Sequence, residues 1–497
     1  MSSPTTQPDS PAAAGSGPSQ SRGFFGHPWG LANLAGVEMW ERFSFYGMQA
    51  LLAFYIYHSV TDGGLGMSQT AATSIVGAYG GLVYLSAVLG GWVADRVLGA
   101  ERTLLTAAFL IMGGHLALAF IPGMLGLAIG LVGVALGSGS LKTTTSTVLG
   151  DLYEKGDPRR DAAFSIYYMG VNIGGFAGPL LTSALWGWKN FHWGFGLAAI
   201  GMAVGLTQYL LLRRHTVSKA SMKPGNPLSP AQQRIWSVIF LAAIAAVAIA
   251  VSLGLITAEN LSTVVVALIV ITVVALFTVI LTSHQVSKTE RRQVVSFIPL
   301  FLASAVFWSL SQQQFTVLAI YADQRLNRNI FGWEMPPSMV QTINPMLIII
   351  LAGVFAAIWV KLGDRQPSTP VKFSIGTAIM GVAFLCFIPF AGGANGTVPL
   401  LAYAFIILLL TLAELSISPV GQSLATKLAP KAFHSQMVAL FFLSISLGSA
   451  ASGTLSRFYT PETEVPYFLA LGGASIAVGA VLFLIRKPVL RLMGGIR

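Results

Sequence analysis

Long apolar runs recur along the whole chain, and this pattern constrains the fold more than any other feature. We count fourteen runs that could cross a bilayer as helices, at 1.5 Å of rise per residue. Of the 497 residues, 54% are hydrophobic and only 9% are charged, which exceeds the apolar content that one soluble core needs. The alternating pattern of a membrane β-barrel is absent. The sequence therefore predicts an all-α polytopic membrane protein.

The positive charge follows the predicted loops. The formal net charge is +11, which raises the question of a nucleic-acid partner. If the N-terminus is cytoplasmic, 23 of the 29 Lys and Arg residues fall on the cytoplasmic side and four on the outer side. Such a bias is the positive-inside pattern, and it predicts that both termini are cytoplasmic. The charge is thereby explained by the lipid bilayer, and we expect no nucleic-acid partner.

Two halves of six spans each are visible, with an insertion between them. Two apolar spans of the insertion contain no charged residue, and we expect these helices to face lipid. Six plus six spans around a connector is the layout of transporters whose halves rock about a site near the midplane. The predicted divisions are a disordered cytoplasmic tail at 1–26, a six-helix bundle at 27–212, the linker with its two extra helices at 213–290, a second six-helix bundle at 291–487 and a cytoplasmic tail at 488–497.

Three charges interrupt the first span. Glu38, Glu41 and Arg42 stand at i, i+3 and i+4, so one helix face brings them together, and Tyr46 follows one turn later. A charge near the bilayer centre costs roughly 2.5–3.5 kcal/mol on insertion scales and usually serves ions or substrate. The alternative is a static salt-bridge triad that only ties helices together.

The segment GGWVADRVLGAER after the second span resembles the loop motif of the major facilitator superfamily. Its glycines permit close helix contact, and Asp95 and Arg96 could form a latch between helix ends that slide during rocking. The alternative interpretation is an ordinary cytoplasmic turn. In the fourth span, Gly133 and Gly137 lie one turn apart and would let two helix backbones approach closely.

Motifs along residues 27–487 resemble those of the proton-dependent oligopeptide transporters, in their bacterial form with two extra central helices. EMWERFSFYG is similar to the family signature E-x-x-E-R-F-x-Y-Y-G, with Phe45 in place of the first tyrosine. FSIYYMGVNIGGFAGPL is similar to the second signature. FWSLSQQQFTVLAIYAD, INPMLIII and AELSISPVGQSLATKLAP resemble the seventh, eighth and tenth core helices. The resemblance implies a major facilitator fold and a monomeric importer in the bacterial inner membrane.

The resemblance also implies roles for individual residues. Proton coupling would use Glu38, Glu41 and Arg42, with Glu41 as the main carrier whose protonation frees Arg42 for the peptide carboxylate. The substrate-binding residues would be Arg42, Tyr46, Tyr84, Lys142, Asn172, Trp308, Asn344, Glu414 and Phe441. Lys142 and Glu414 would also pair to close the cytoplasmic side. A zwitterionic peptide needs a cation at one end and carboxylate and amide acceptors at the other, about 7–10 Å apart.

The sequence departs from the family at the outer gate. Bacterial relatives often carry an arginine and a glutamate where this chain has Gln49 and Gln312, so the ionic gate is not carried over. The second span holds no histidine, so carboxylates must carry the proton. His115 in the third span is expected to be a packing or hydrogen-bonding residue.

Three functions are compatible with these patterns. The first is a proton-coupled symporter that imports di- and tripeptides by alternating access. The second is a major facilitator carrier for another small solute, such as a sugar, a drug, nitrate or a peptide-like compound. The third is a membrane enzyme or receptor, which the sequence disfavours because it shows no catalytic or metal-ligand cluster. Cys386 is the only cysteine, so no intrachain disulfide is possible, and we expect neither a metal nor a cofactor.

Overall fold

The computed structural model describes residues 24, 26–153, 159–216 and 221–495. Within this part, the chain is almost entirely helical. The helices are α1 Trp29–Tyr57, α2 Gln69–Val93, α3 Ala100–Phe120, α4 Gly123–Asp151, α5 Arg159–Trp188, α6 Phe191–Leu212, α7 Pro230–Ser252, α8 Leu261–Thr282, α9 Lys288–Ser311, α10 Val317–Gln324, α11 Ile343–Leu362, α12 Thr369–Leu385, α13 Leu400–Lys427, α14 His434–Ser456, α15 Glu464–Leu484 and α16 Arg486–Leu492. A short antiparallel hairpin, β1 Asn329–Ile330 and β2 Trp333–Glu334, follows α10.

Twelve helical segments of this described part are long and apolar enough to cross a membrane. The prediction of an all-α polytopic membrane protein is therefore confirmed. The 29-residue α1 and the 30-residue α5 are also long enough for a crossing, but they are not among the twelve. Because α1 carries three charges, its apolar character is diluted. The count of fourteen membrane crossings stays a prediction.

The first six helices pack as one group around a core of buried side chains. Here α1 packs against α5 and α6, while α4 packs against α2 and α3. The expected close approach in α4 is confirmed, because a Cβ on Gly137 would lie 2.7 Å from the carbonyl oxygen of Ala107 in α3. His115 is fully buried in α3, consistent with a packing role.

The helices from α9 to α15 form a second group, called the second bundle below, as the first six helices form the first bundle. Here α12 packs against α9, α13 and α15, and α14 packs against α9 and α13. The first helix of this group, α9, forms one segment with α10, Lys288–Gln324, that is long and apolar enough to cross a membrane. A 3-10 turn, Gln312–Phe315, separates α9 from α10. The turn buries the Gln313 side chain, which accepts a 2.7 Å hydrogen bond from the Tyr467 hydroxyl. The domain boundaries stay a prediction.

The two inserted helices behave differently from each other. No side chain of α7 is buried, as expected for a helix that faces lipid. One face of α8 packs against α2 and α14, and Val265, Ile269 and Ile280 on this face are buried. The expectation that these helices face lipid therefore fits α7 and the exposed side of α8, but it did not include the buried face of α8, because lipid and neighbouring helices favour the same apolar residues.

The two groups meet mainly along α2 and α14. A Cβ on Gly77 would lie 2.6 Å from the Cα of Gly453, so the two backbones are in direct contact. The Ser446 hydroxyl donates a 2.6 Å hydrogen bond to the Gly81 carbonyl at mid-height. On the opposite side, α5 packs against α11 and against the 3-10 turn Pro337–Thr342 that precedes it.

The chain ends differ from the predicted tails in one respect. The N-terminal tail prediction falls mainly on residues 1–23, which lie outside the described residues. At the other end, part of the tail predicted at 488–497 forms the helix α16, which packs against α9 and α12. Val489 and Met493 are buried there because they lie on the same helix face.

Candidate functional site

The three charges of α1 form a buried cluster. Glu38, Glu41 and Arg42 are 2%, 0% and 4% exposed. The Arg42 Nε atom lies 3.2 Å from a Glu38 carboxylate oxygen and 2.5 Å from a Glu41 carboxylate oxygen. One guanidinium thus faces two carboxylates, so the cluster carries one more negative charge than positive when all three groups are ionised.

Hydrogen bonding inside this cluster is incomplete. Ser138 of α4 donates a 2.5 Å hydrogen bond to Glu41. Among the described residues, the buried Nη2 atom of Arg42 and the second carboxylate oxygen of Glu38 make no well-aligned hydrogen bond, although the hydroxyls of Tyr46 and Tyr167 lie close to Arg42 and Glu38. Because a buried unpaired polar group is costly, these atoms are candidates to bind a ligand.

Lys142 of α4 adds a second cation. It lies in electrostatic range of the α1 cluster, and its Nζ atom is 4.7 Å from the centre of the Tyr84 ring and 5.3 Å from that of Phe442. Tyr84 belongs to the first bundle and Phe442 to the second. The ammonium group therefore lies between the bundles, against two aromatic faces.

The facing carboxylate comes from the second bundle. Asn344 of α11 donates hydrogen bonds to Glu414 at 3.2 Å and to Thr411 at 3.1 Å, and both acceptors are on α13. Glu414 remains partly exposed. Trp308 of α9 is buried, and its indole nitrogen has no hydrogen-bond partner within the described residues. The sequence-predicted residues Asn344 and Glu414 are therefore brought together.

Tyr46 lies between the two charged groups. It is in electrostatic range of both Arg42 and Glu414, and its ring stacks on Phe315 with 6.4 Å between ring centres. The Asn172 side chain makes a local contact instead: its amide donates a 2.8 Å hydrogen bond to the Tyr168 carbonyl on its own helix.

Two aromatic neighbours on α14 have different surroundings. Phe441, predicted to bind substrate, is buried against Gly421, where a Cβ would lie 2.4 Å from its ring. Phe442, which the sequence analysis did not name, is the ring that contacts Lys142. Ser138 was missed as well, although it precedes Lys142 by one turn on the same helix face.

The predicted inner gate is not formed here. In the part of the chain that the structure describes, Lys142 and Glu414 make no ion pair, and each has the other partners given above. Asp95 is exposed, and the backbone carbonyls of Asp95 and Arg96 accept 3.0 Å hydrogen bonds from the amides of Asn226 and Leu228. The motif turn is thus held by the linker, and a side-chain latch stays a prediction.

Polar contacts join the two bundles at the end of the molecule where α1 finishes. Asp323 of α10 accepts a hydrogen bond from the Tyr57 hydroxyl, and its carboxylate lies 3.2 Å from the His58 ring and 3.7 Å from Arg328. Ser338 donates a 2.6 Å hydrogen bond to Ser183. Gln49 of α1 and Gln312 line a narrow gap between the bundles. The contacts of Asp323 and Ser338 lie further along α1 than Gln49. No sequence motif indicates this cluster, because Tyr57 and Asp323 are 266 positions apart.

Two other buried carboxylates join helices within a bundle. Glu101, at the start of α3, lies 2.6 Å from Arg213 and accepts a hydrogen bond from Tyr209. Glu464, at the start of α15, lies 3.1 Å from Arg325. Burial and the facing Glu464 carboxylate raise the pKa of the Tyr459 hydroxyl, which donates to that carboxylate. Since both pairs lie at helix ends, away from the space between the bundles, they are structural.

Comparisons with known proteins agree with this architecture. The model of the POT family matches residues 101–472. A Bacillus subtilis (strain 168) protein described as an uncharacterized transporter is 40% identical, covering 96% of this chain and 97% of that protein. A di-/tripeptide transporter of Lactococcus lactis subsp. cremoris is 39% identical, covering 95% and 98%. The crystal structure of a peptide transporter POT in complex with sulfate has a TM-score of 0.91 at 42% identity, covering 95% of this chain and 97% of that one.

Proposed function

This chain belongs to the POT family, and from that premise we propose that it imports di- and tripeptides together with protons. The family is one of transporters, so the prediction that the chain is not an enzyme is confirmed. We further propose that it works as a monomer in the bacterial inner membrane with both termini cytoplasmic, on the evidence of its charge bias.

The placement of opposite charges on the two bundles carries the proposal. Arg42 and Lys142 belong to the first bundle, Glu414 and its partner Asn344 to the second, and Tyr46 lies in range of both sides. The Nη2 atom of Arg42, which makes no well-aligned hydrogen bond within the described residues, would bind the peptide carboxylate. Glu414 and Asn344 would receive the amino group. In a zwitterionic di- or tripeptide, the carboxylate and the amino group lie at opposite ends, as do the groups that would bind them.

Broad side-chain acceptance follows from the aromatic lining. Tyr84, Trp308 and Phe442 would contact the peptide side chains through ring faces, which make no fixed hydrogen-bond demand. Asn172 would add an amide to the same space. Recognition would then rest on the peptide backbone and its two charged ends.

Coupling would work through competition for Arg42. With Glu38 and Glu41 both ionised, the guanidinium is held by two carboxylates. Protonation of Glu41 would remove one of them, and the substrate carboxylate could take its place. Proton and peptide would therefore enter together, because protonation of Glu41 releases Arg42 and the peptide carboxylate then binds the released guanidinium.

Alternating access would use contacts at opposite ends of the molecule. On the proposed topology, the Asp323 cluster, which joins the bundles at the end of α1, would close the outer end. When this end opens, we propose that Lys142 and Glu414 pair and close the cytoplasmic side. The α2–α14 contact would be the line about which the bundles rock, because its backbones touch.

The energetics are sufficient for uptake. One proton that crosses about 100 mV supplies about 2.3 kcal/mol, which supports on the order of 50-fold accumulation of a neutral peptide. A pH gradient would add to this.

Uptake by purified protein in proteoliposomes, with pH and voltage set separately, tests the proposal. We expect labelled dipeptide to accumulate when either gradient is imposed, and unlabelled di- and tripeptides to compete. If these peptides fail to compete while another solute accumulates, the protein is a different major facilitator carrier. If no solute accumulates with either gradient, proton symport is excluded.

A further inference from the structure

A basic cavity lies at the cytoplasmic end of α9, away from the transport site. It has a volume of about 300 Å³ and is lined by Lys288, Arg291, Arg292, Val295 and Leu492. The first four residues come from the first two turns of α9, and Leu492 comes from α16. The lining thus combines three cations with two aliphatic side chains.

The acidic residue of this turn is already engaged. The Glu290 carboxylate accepts hydrogen bonds from the backbone amide of Ser287 at 2.9 Å and from that of Lys431 at 3.1 Å. These bonds cap the start of α9 and tie it to the loop before α14. Among the described residues, no carboxylate forms an ion pair with Lys288, Arg291 or Arg292. Three exposed positive charges therefore surround the cavity without a carboxylate partner in the described part of the chain; their aliphatic stems form much of its wall, and Arg291 also donates a 3.4 Å hydrogen bond to the Ser283 carbonyl.

The cavity lies where the polar start of α9 gives way to its apolar span. Val295 is 39% exposed and Leu302, two turns further, is 56% exposed, so this face of α9 would contact acyl chains. The neighbouring α16 has the amphipathic pattern of an interfacial helix, because it buries Val489 and exposes Lys487 and Arg491. On the predicted topology, this level is that of the cytoplasmic headgroups.

We propose that this cavity binds the phosphate of an anionic phospholipid from the cytoplasmic leaflet. Two guanidinium groups and one ammonium group can donate hydrogen bonds to the oxygens of a phosphate diester. The planar guanidinium of arginine can donate two parallel bonds to one phosphate. Val295 and Leu492 lie where the glycerol and the first acyl carbons would follow. Basic pockets at the cytoplasmic face of membrane proteins bind anionic headgroups by this combination of charge and apolar contact.

Lipid retention by the purified full-length protein tests the proposal. The protein is placed in nanodiscs of phosphatidylcholine with phosphatidylglycerol, extracted with mild detergent, and its retained lipids are measured by native mass spectrometry. We expect Arg291→Gln/Arg292→Gln to retain roughly tenfold less phosphatidylglycerol than the unmodified chain. The matched control Lys223→Gln/Arg234→Gln removes two exposed cytoplasmic cations elsewhere and should retain the normal amount.

Two further arms identify the source of the phosphate and guard against misfolding. Excess inorganic phosphate should leave the retained phosphatidylglycerol unchanged, whereas displacement would mean that the cavity takes a free anion and would overturn the lipid assignment. If the double variant is unstable to heat, Lys288→Glu places a negative charge on the exposed edge and should lower retention equally. Equal retention by the basic-cavity variants and the control pair would refute the proposal.

Discussion

The ring Nε2 atom of His58, at the end of α1, lies 3.2 Å from a carboxylate oxygen of Asp323 in α10. The Tyr57 hydroxyl donates to the same carboxylate, and Arg328 approaches it at 3.7 Å. Charged and aromatic groups thus join the bundles closer to this end of α1 than Gln49 and Gln312, and on the proposed topology this end is the outer one. The closure function that an arginine–glutamate pair serves in relatives would here rest on Asp323.

Neutralising this carboxylate should loosen the outer closure. We expect Asp323→Asn to shift the balance toward the outward-open state by about 1–2 kcal/mol, since partly buried charge-assisted hydrogen bonds are lost. In a Cys386→Ser background, a Gln312→Cys residue should then react roughly tenfold faster with an impermeant maleimide added outside. Asp62→Asn, an exposed acid on the same side, serves as the control and should leave the rate unchanged.

Locking the outer end should stop transport. Ser183 and Ser338 are joined by a 2.6 Å hydrogen bond across the bundles, so cysteines at these positions can form a disulfide in the state seen here. We expect oxidised Ser183→Cys/Ser338→Cys to lose at least about 90% of uptake, because the outer end could no longer open. Reductant should restore it. Undiminished uptake by the fully cross-linked protein would contradict alternating access at this end, and each single-cysteine variant controls for oxidation.

Removing the charge of Glu41 should separate exchange from accumulation. Glu41→Gln keeps the shape of the side chain but leaves it unable to bind or release a proton. We expect accumulation to fall from about 50-fold at 100 mV to about onefold, while counterflow exchange of peptide persists. The control is Glu101→Gln, which neutralises a buried carboxylate within the first bundle and should retain acid-driven accumulation. Normal accumulation by the Glu41 variant would exclude it as the proton carrier.

Charge reversal tests the inner gate. Lys142→Glu and Glu414→Lys should each abolish most uptake, because each removes a predicted peptide contact as well as the pairing that closes the cytoplasmic side. The double reversal should recover part of the activity, with a coupling energy of about 1–2 kcal/mol, measured as transport rates in a double-mutant cycle. Combining Lys189→Glu with Glu414→Lys should recover nothing. Strict additivity of the two reversals would count against the pair.

The helix crossing between the bundles should not tolerate a methyl group. In Gly77→Ala, the new Cβ would lie 2.6 Å from the Gly453 backbone, so the helices must separate. We expect a loss of about 1–3 kcal/mol in unfolding free energy, measured by thermal unfolding in detergent. Gly91→Ala on the same helix meets no atom within 4 Å and should stabilise by about 0.4–1 kcal/mol. Similar unfolding temperatures for the two variants would refute the close-contact argument.

Local sequence patterns were sufficient to predict the helical membrane fold and the charged cluster on α1. Apolar runs mark helices because a backbone in lipid must satisfy its own hydrogen bonds, and the spacing of Glu38, Glu41 and Arg42 places them on one helix face whatever surrounds the helix. The motif resemblance named Asn344 and Glu414 among the substrate-binding residues, and the structure joins these two side chains by a hydrogen bond. For the helices and the α1 charges the information lies within a few residues of chain, whereas for Asn344 and Glu414 it lies in two motifs 70 residues apart.

Tertiary structure decided what depends on packing between distant segments. Composition could not distinguish α7 in lipid from α8 between α2 and α14, since lipid and helix neighbours favour the same apolar residues. Nor could spacing reveal that Phe442, rather than its buried neighbour Phe441, faces Lys142, because adjacent residues differ only in the helix face they present. Tyr57 and Asp323 are 266 positions apart, and only the docking of two bundles brings them into contact.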